Sequence, residues 1–153
     1  MGRGTAQGGA GLRLLAALAA GAMVAGAFAP WGRITAAAWG SGSPVLAVQG
    51  TRIGFDVGAV PWGWVVLAAG AIGAVALLGD VTIAIAAGFA GAVAAGASSI
   101  LLGREKEFLL PGSFAELAEP HLALAWGALF SLAASLVLLV AAATLRNRLE
   151  NDL

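Results

Sequence analysis

The chain has 153 residues, of which 60% are hydrophobic and 10% are charged. A soluble domain is nearer half apolar and a quarter charged, so this composition predicts a membrane protein. The formal net charge is zero and there is no cysteine. The charge balance therefore gives no reason to expect nucleic acid as a partner, and the missing cysteines exclude disulfides and thiolate metal sites.

The chain begins with a predicted cytoplasmic tail, residues 1–11, followed by an apolar run over residues 12–30. About 20 apolar residues cross a hydrocarbon layer of about 30 Å, so this run predicts a first transmembrane helix. Ala27-Phe28-Ala29 has the small-x-small pattern of a signal-peptidase site. Cleavage there would leave three spans. The next residue, Pro30, generally blocks that cleavage, so we expect an uncleaved helix.

Residues 31–61 form a predicted outer loop that contains a β-hairpin over about residues 45–57. Residues 52–57 alternate, with Ile53, Phe55 and Val57 on one side and Arg52 and Asp56 on the other, which is the period of a strand. Residues 45–48 are a second extended candidate, and residues 49–51, Gln-Gly-Thr, supply a turn. The hairpin either covers the helix ends or offers a docking edge, with Arg52, Phe55 and Asp56, to an extramembrane partner.

Two further apolar runs, residues 62–78 and 81–102, predict a pair of transmembrane helices joined by an inner turn at residues 79–80. Asp80 is expected to cap the later helix. Glycines recur in both runs and predict close helix packing. They are Gly70, Gly73, Gly88, Gly91 and Gly96. The face formed by Gly88, Ala92 and Gly96 packs either inside this bundle or against another chain.

Residues 103–121 form a second predicted outer loop. Pro111-Gly112 is a turn signal, and the capping box from Ser113 to Glu116 predicts a short helix at the membrane surface. Pro120 suits the first turn of the next helix. That helix is the fourth apolar run, residues 122–145, and a cytoplasmic tail over residues 146–153 follows it.

The predicted orientation of the chain in the membrane depends on the residues at the ends of these apolar runs. Four basic residues, Arg3, Arg13, Arg146 and Arg148, lie in the tails or at the start of the first span, and four lie in the two loops, so their number alone does not decide the sidedness. Tryptophan favours membrane interfaces. The predicted outer helix ends carry Trp31, Trp62, Trp64 and Trp126. We therefore expect a multi-pass protein of the bacterial inner membrane, with both termini in the cytoplasm.

The four predicted spans contain no ionisable residue in their interiors, which argues against a proton-coupled transporter. Their polar residues are hydroxyls that can bond to their own helix: Thr82, Ser98, Ser99, Ser131, Ser135 and Thr144. His121 is the single histidine, and with Glu119 it offers only two candidate metal ligands. We therefore predict no catalytic, cofactor-binding or metal-binding residues.

Three stretches, "GAFAPW" at residues 26–31, "VQGT" at 48–51 and "GAVPWGWVVLAAGAIGAVALLG" at 58–79, resemble a group of small four-helix bacterial membrane proteins that are common in actinobacteria. The layout is also similar to that of membrane proteins associated with tryptophan-biosynthesis operons. Gln49 stands where the turn of that group normally begins with Ser. The resemblance implies a four-helix membrane fold, and it implies no activity.

The sequence thus predicts an all-α, four-helix transmembrane bundle that is not an enzyme. We expect an accessory or scaffold subunit, with the lipid bilayer and either another membrane protein or a second copy of the chain as partners. One alternative is a small oligomeric transporter or channel around Ser98, Ser99, Ser131 and Ser135. Another is a membrane enzyme that uses His121 and Glu119.

Overall fold

The computed structural model describes residues 3–40, 43–54, 62–101 and 118–151. These ranges form four helices and three strands. In chain order they are α1 Arg3–Ala27, β1 Pro30–Gly40, β2 Ser43–Ile53, α2 Trp62–Ala76, α3 Val81–Leu101, β3 Ala118–Leu124 and α4 Trp126–Asn151.

The helices form a four-membered bundle in which α1 and α3 each pack against both α2 and α4. By length and composition, α1, α3 and α4 could each cross a membrane, whereas α2 is a shorter apolar helix of 15 residues. The outer surface carries large exposed apolar side chains, among them Leu18, Ile72, Phe89 and Val140. The predicted four helices are confirmed for the described residues, and three of them are long and apolar enough to span a membrane.

The α2–α3 connection is a tight turn closed by main-chain and side-chain hydrogen bonds. Gly79 N donates to Ala76 O at 3.0 Å, which closes the end of α2. Asp80 Oδ1 accepts a 2.8 Å bond from Thr82 N, at the second position of α3. This is the geometry of a helix N-cap, in which the side chain satisfies a donor that the helix leaves unpaired. The capping role predicted for Asp80 is confirmed.

Small residues let the helices approach closely. An ideal Cβ on Gly70 would lie 2.9 Å from the carbonyl oxygen of Ala20 in α1, and one on Gly88 would lie 2.9 Å from the amide nitrogen of Leu139 in α4. Real Cβ atoms essentially never come that near to backbone atoms, so these positions accept glycine alone at this helix spacing.

The other glycines predicted to support close packing differ in what an added Cβ would contact. Gly73 faces the side chain of Leu138, and Gly91 faces those of Met23 and Ser135. At Gly96 no atom of the described residues lies within 4 Å of an added Cβ. The predicted face of Gly88, Ala92 and Gly96 therefore contacts α4 at Gly88 but makes no such contact at Gly96.

The strands form one antiparallel sheet in the order β2-β1-β3. Strand β1 lies in the centre, where Thr35 pairs with Gln49 of β2 on one side and with His121 of β3 on the other. The strand ends at Pro30 and Leu124 lie next to the bundle, because each is within a few residues of a helix end. The end at Ile53 lies there too, because Gly54 O accepts a hydrogen bond from Gly63 N of α2.

This sheet corrects two predicted boundaries. The hairpin covers residues 30–53 and not 45–57, and Gln49-Gly50-Thr51 lies inside the ladder opposite residues 33–35. The reason is that β1 is eleven residues long and pairs along β2 over its whole length, which moves the connection to residues 40–43. The segment from 55 to 57 lies outside the described residues.

The second correction concerns the start of the fourth helix. Pro120 lies in strand β3 and α4 begins at Trp126, four residues later than predicted. Pairing with β1 holds residues 118–124 in an extended conformation, so a helix can begin only after them. Ala125 N then donates a 2.9 Å bond to Trp31 O, which fixes the strand-to-helix step. The predicted capping-box helix at Ser113–Glu116 lies outside the part of the chain that the structure describes.

Candidate functional site

The sheet is joined to the bundle at Trp31, which is fully buried. Its indole Nε1 donates a 2.8 Å hydrogen bond to Gly26 O at the end of α1. Its ring also covers Gly54, where an added Cβ would lie 2.7 Å from Trp31 Cε2. Gly63 N of α2 donates to Gly54 O at 2.9 Å. Trp31 therefore ties α1, the end of β2 and the start of α2 into one junction, together with its bond to Ala125.

Burial of Trp31 removes it from the predicted interface belt, because a ring without exposed surface cannot reach lipid headgroups. Its polar atom finds a partner inside the protein, as buried indoles generally do. The other members of the set lie at the same end of the bundle. Trp64 and Trp126 are exposed there, and Trp62 is half-buried.

The register of the sheet separates its residues onto two faces, because directly paired residues of antiparallel strands share a face and successive residues alternate. The first face holds the odd positions of residues 33–37, 47–51 and 119–123, and we call it the polar face. The opposite face holds the even positions of residues 32–38, 46–52 and 118–124, and we call it the apolar face.

The polar face gathers residue types that recognise polar partners. One row across the sheet is Gln49, Thr35 and His121, and the row nearer the bundle contains Thr51 and Arg33. Glu119 adds a negative charge two residues before His121 on the same face. Of this set, the side chain of Arg33 is exposed. The residue types that the register assigns to this face thus include hydrogen-bond donors, acceptors and both signs of charge.

Sequence reasoning separated these residues into two unrelated loops and did not assign a role to Thr35 or Gln49 on a common surface. A signal was present in the alternation of polar and apolar residues in Arg33-Ile34-Thr35 and again from Glu119 to Leu122. The residues predicted to form a docking edge are not placed on the polar face. Arg52 lies on the apolar face opposite Gly32, while Phe55 and Asp56 lie outside the described residues.

Inside the bundle, Ser98, Ser131 and Ser135 are buried. Ser98 Oγ donates to Ala95 O at 2.8 Å and Ser135 Oγ donates to Ser131 O at 2.7 Å, so both hydroxyls are satisfied by their own helices. Ser131 Oγ has no hydrogen-bond partner in the described part of the chain and lies against Gly26 of α1. No described ionisable side chain is buried.

A shallow apolar groove of about 530 Å³ lies on the outside of the bundle between α2 and α3. Its walls include Trp64, Ile72 and Ile83, and its floor includes Ala69 and Ala87. Apart from the indole of Trp64, the residues that line it are aliphatic. Groups of three metal-ligating side chains are not found within the described residues.

The register of the sheet therefore places polar residue types from all three strands on one face. This face arises from three strands that are distant in sequence, and the Trp31 junction fixes it to the bundle. No family model, no curated protein and no solved structure matches this chain.

Proposed function

We propose that this protein is a non-enzymatic accessory or scaffold subunit of a membrane complex, which binds an extramembrane segment of a partner protein on the polar face of its sheet. The observation that carries the proposal is the position of that face. Polar residues from all three strands lie on one side of a sheet that is fixed to an apolar bundle through buried Trp31.

The proposed topology has four spans, both termini in the cytoplasm and the sheet on the outer side of the bacterial inner membrane. The α2–α3 turn and the two chain termini then share the cytoplasmic side. Helix α2 has 15 residues and a length of about 22 Å. A hydrophobic segment shorter than the bilayer is accommodated by local thinning at modest cost, so a short α2 is compatible with four spans.

The contents of the bundle favour an anchoring role. A transport pathway inside a membrane usually requires ionisable or accessible polar side chains. The buried hydroxyls of Ser98 and Ser135 bond within their own helices. An oligomeric pore would need such groups on the outer surface of the bundle, where the described side chains are mostly large and apolar.

One observation supports the alternative of a small oligomeric transporter for an unidentified solute. Ser131 Oγ is buried without a partner among the described residues, and an unsatisfied hydroxyl in a membrane bundle sometimes marks a polar pathway. It lies in tight contact with Gly26, which leaves little room for a solute. We therefore rank transport second.

The proposal is tested by photo-crosslinking in the native host. A benzophenone amino acid replaces Gln49 on the polar face or, as the matched control, Val48 on the apolar face of the same strand. We expect a discrete crosslinked partner protein from the Gln49 position and its loss when Arg33→Glu is added, because the exposed guanidinium is then replaced by an opposite charge. Equal crosslinking from both positions, or none from Gln49, Thr35 and His121 alike, would contradict the proposal.

A further inference from the structure

The apolar face of the sheet contains branched and aliphatic residues from all three strands. Its larger members are Ile34, Leu46, Val48, Pro120, Leu122 and Leu124. We propose that this face lies on the outer leaflet of the membrane, so that its occupant is a lipid surface and the polar face is turned toward the aqueous phase. The inference rests on the membrane-spanning bundle of the proposed function and deepens it by orienting the docking surface.

The apolar face of the sheet is continuous with the exposed apolar surface of α4. Leu124, at the base of the apolar face, is 41% exposed, and Trp126, at the start of α4, is 59% exposed. The ring of Trp126 packs edge-on against Phe130 one turn later, with a centroid distance of 5.8 Å. A single residue, Ala125, separates the strand from the helix. Exposed apolar surface therefore continues from the proposed lipid-facing side of α4 onto the sheet.

A second feature is the bend at which the sheet leaves the bundle. The extended strand–helix contact among the described residues is that of β1 with α4. The sheet begins at a bulge, where Pro30 pairs with Ile53 and Gly32 pairs with Arg52, which leaves Trp31 as the extra residue. Bulges bend a strand and increase its twist. This bulge lies at the point where the sheet leaves the bundle, as a turn onto the membrane surface requires.

The charged residues of the sheet also bear on which face lies on the membrane. Arg52 is the one charged residue among the described positions of the apolar face, and it lies opposite Gly32 at the end nearest the bundle. Arginine pairs well with phosphate oxygens, and a basic residue beside apolar ones is typical of elements that lie in the membrane interface. The other face carries both signs of charge, on Arg33 and Glu119. The distribution therefore matches a lipid surface on one side and water on the other.

The test uses the full chain, which contains no cysteine, so each spin label is attached to a single introduced cysteine. Two neighbouring pairs report on alternate faces: Val48→Cys with Gln49→Cys on β2, and Leu122→Cys with His121→Cys on β3. The proteins are reconstituted into vesicles of phosphatidylethanolamine and phosphatidylglycerol. Relaxation of each nitroxide is measured with oxygen, which concentrates in lipid, and with a water-soluble nickel complex. Circular dichroism confirms that each labelled variant keeps its helical content.

At Val48 and Leu122 we expect strong relaxation by oxygen and none by the nickel complex. At Gln49 and His121 we expect strong relaxation by the nickel complex and little by oxygen. Ile72, exposed on α2, is labelled to test the membrane-spanning premise. Nickel access at all four sheet positions, with Ile72 in lipid, would overturn this inference and retain the anchor. Protection of Val48 and Leu122 from both reagents would show that protein covers the face, which also overturns it. Nickel access at Ile72 would refute the proposed membrane topology itself.

Discussion

The helix bundle and the sheet are held together by different interactions. Within the bundle, backbone hydrogen bonds stay inside each helix, so the arrangement of helices depends on close approach at Gly70, Gly88 and Gly91. Within the sheet, backbone hydrogen bonds join the three strands directly. The sheet meets the bundle at Trp31, whose indole donates a hydrogen bond to Gly26 O. Damage at the junction should therefore release the sheet, whereas damage at a glycine should separate helices.

The largest effect is expected for Trp31→Ala. Truncation of a buried aromatic side chain costs about 3–5 kcal/mol of unfolding free energy, and Trp31 also loses its bond to Gly26 O. Amide exchange should rise most in β1 and β2, because the junction is lost, while α3 and α4 keep protection. Trp126→Ala is the control, since that ring is exposed. Equal destabilisation by both variants, or uniform loss of protection along the chain, would show that Trp31 has no special role at the junction.

A smaller but definite loss is expected for Gly88→Ala. The added methyl group would lie 2.9 Å from the amide nitrogen of Leu139, so α3 and α4 must move apart. Overpacking of this kind costs about 1–3 kcal/mol. The measurement is thermal unfolding in detergent, followed by circular dichroism.

Gly96→Ala is the matched control for that experiment, on the same helix and with the same chemical change. No described atom lies within 4 Å of its added Cβ, and alanine favours a helix over glycine by up to about 1 kcal/mol. We expect unchanged or raised stability. If Gly96→Ala is the more damaging substitution, α3 packs through Gly96 and not through Gly88.

The same contrast explains what could be predicted from the sequence. Helices give a local signal, through long apolar runs and a cap such as Asp80, so their number and the ends of α2 and α3 could be predicted. Helix α1 begins and α4 ends inside the predicted tails. Strand pairing is non-local. Residues 31–40 carry three alanines and two glycines that give little strand signal, and only pairing with β2 and β3 makes them the central strand. The row of Gln49, Thr35 and His121 therefore could not be assembled from single segments.

The sequence also does not predict whether a single tryptophan is buried. Trp31 and Trp126 both lie at helix ends and both suit a membrane interface by residue type. Their environments differ because Gly26 O accepts the hydrogen bond of the Trp31 indole and Gly54 leaves space for its ring. At Trp126 the adjacent helix surface faces outward. Such a difference depends on tertiary contacts alone.

A loss of about 1 kcal/mol is expected for Asp80→Ala, because Thr82 N then has no acceptor at the start of α3. The effect tests the turn at the end of the bundle opposite the sheet. Asp80→Asn is the control, since an asparagine side-chain oxygen caps a helix about as well as a carboxylate. Unfolding in detergent distinguishes the two. If Asn fails as badly as Ala, the charge of Asp80 and not its hydrogen bond supports the turn.

The smallest effect is expected for Ser131→Ala, and it has the opposite sign. Ser131 Oγ is buried without a partner in the described residues, and removing such a group relieves a desolvation cost of about 1 kcal/mol or more. The melting temperature should therefore stay level or rise. Ser135→Ala, which deletes the satisfied bond to Ser131 O, should lower it slightly. A clear loss of stability in Ser131→Ala would mean that this hydroxyl has a partner in the membrane. In that case the hydroxyl of Ser131 would have a bonded role inside the bundle, and the transporter alternative, which depends on a polar group there, would gain further support.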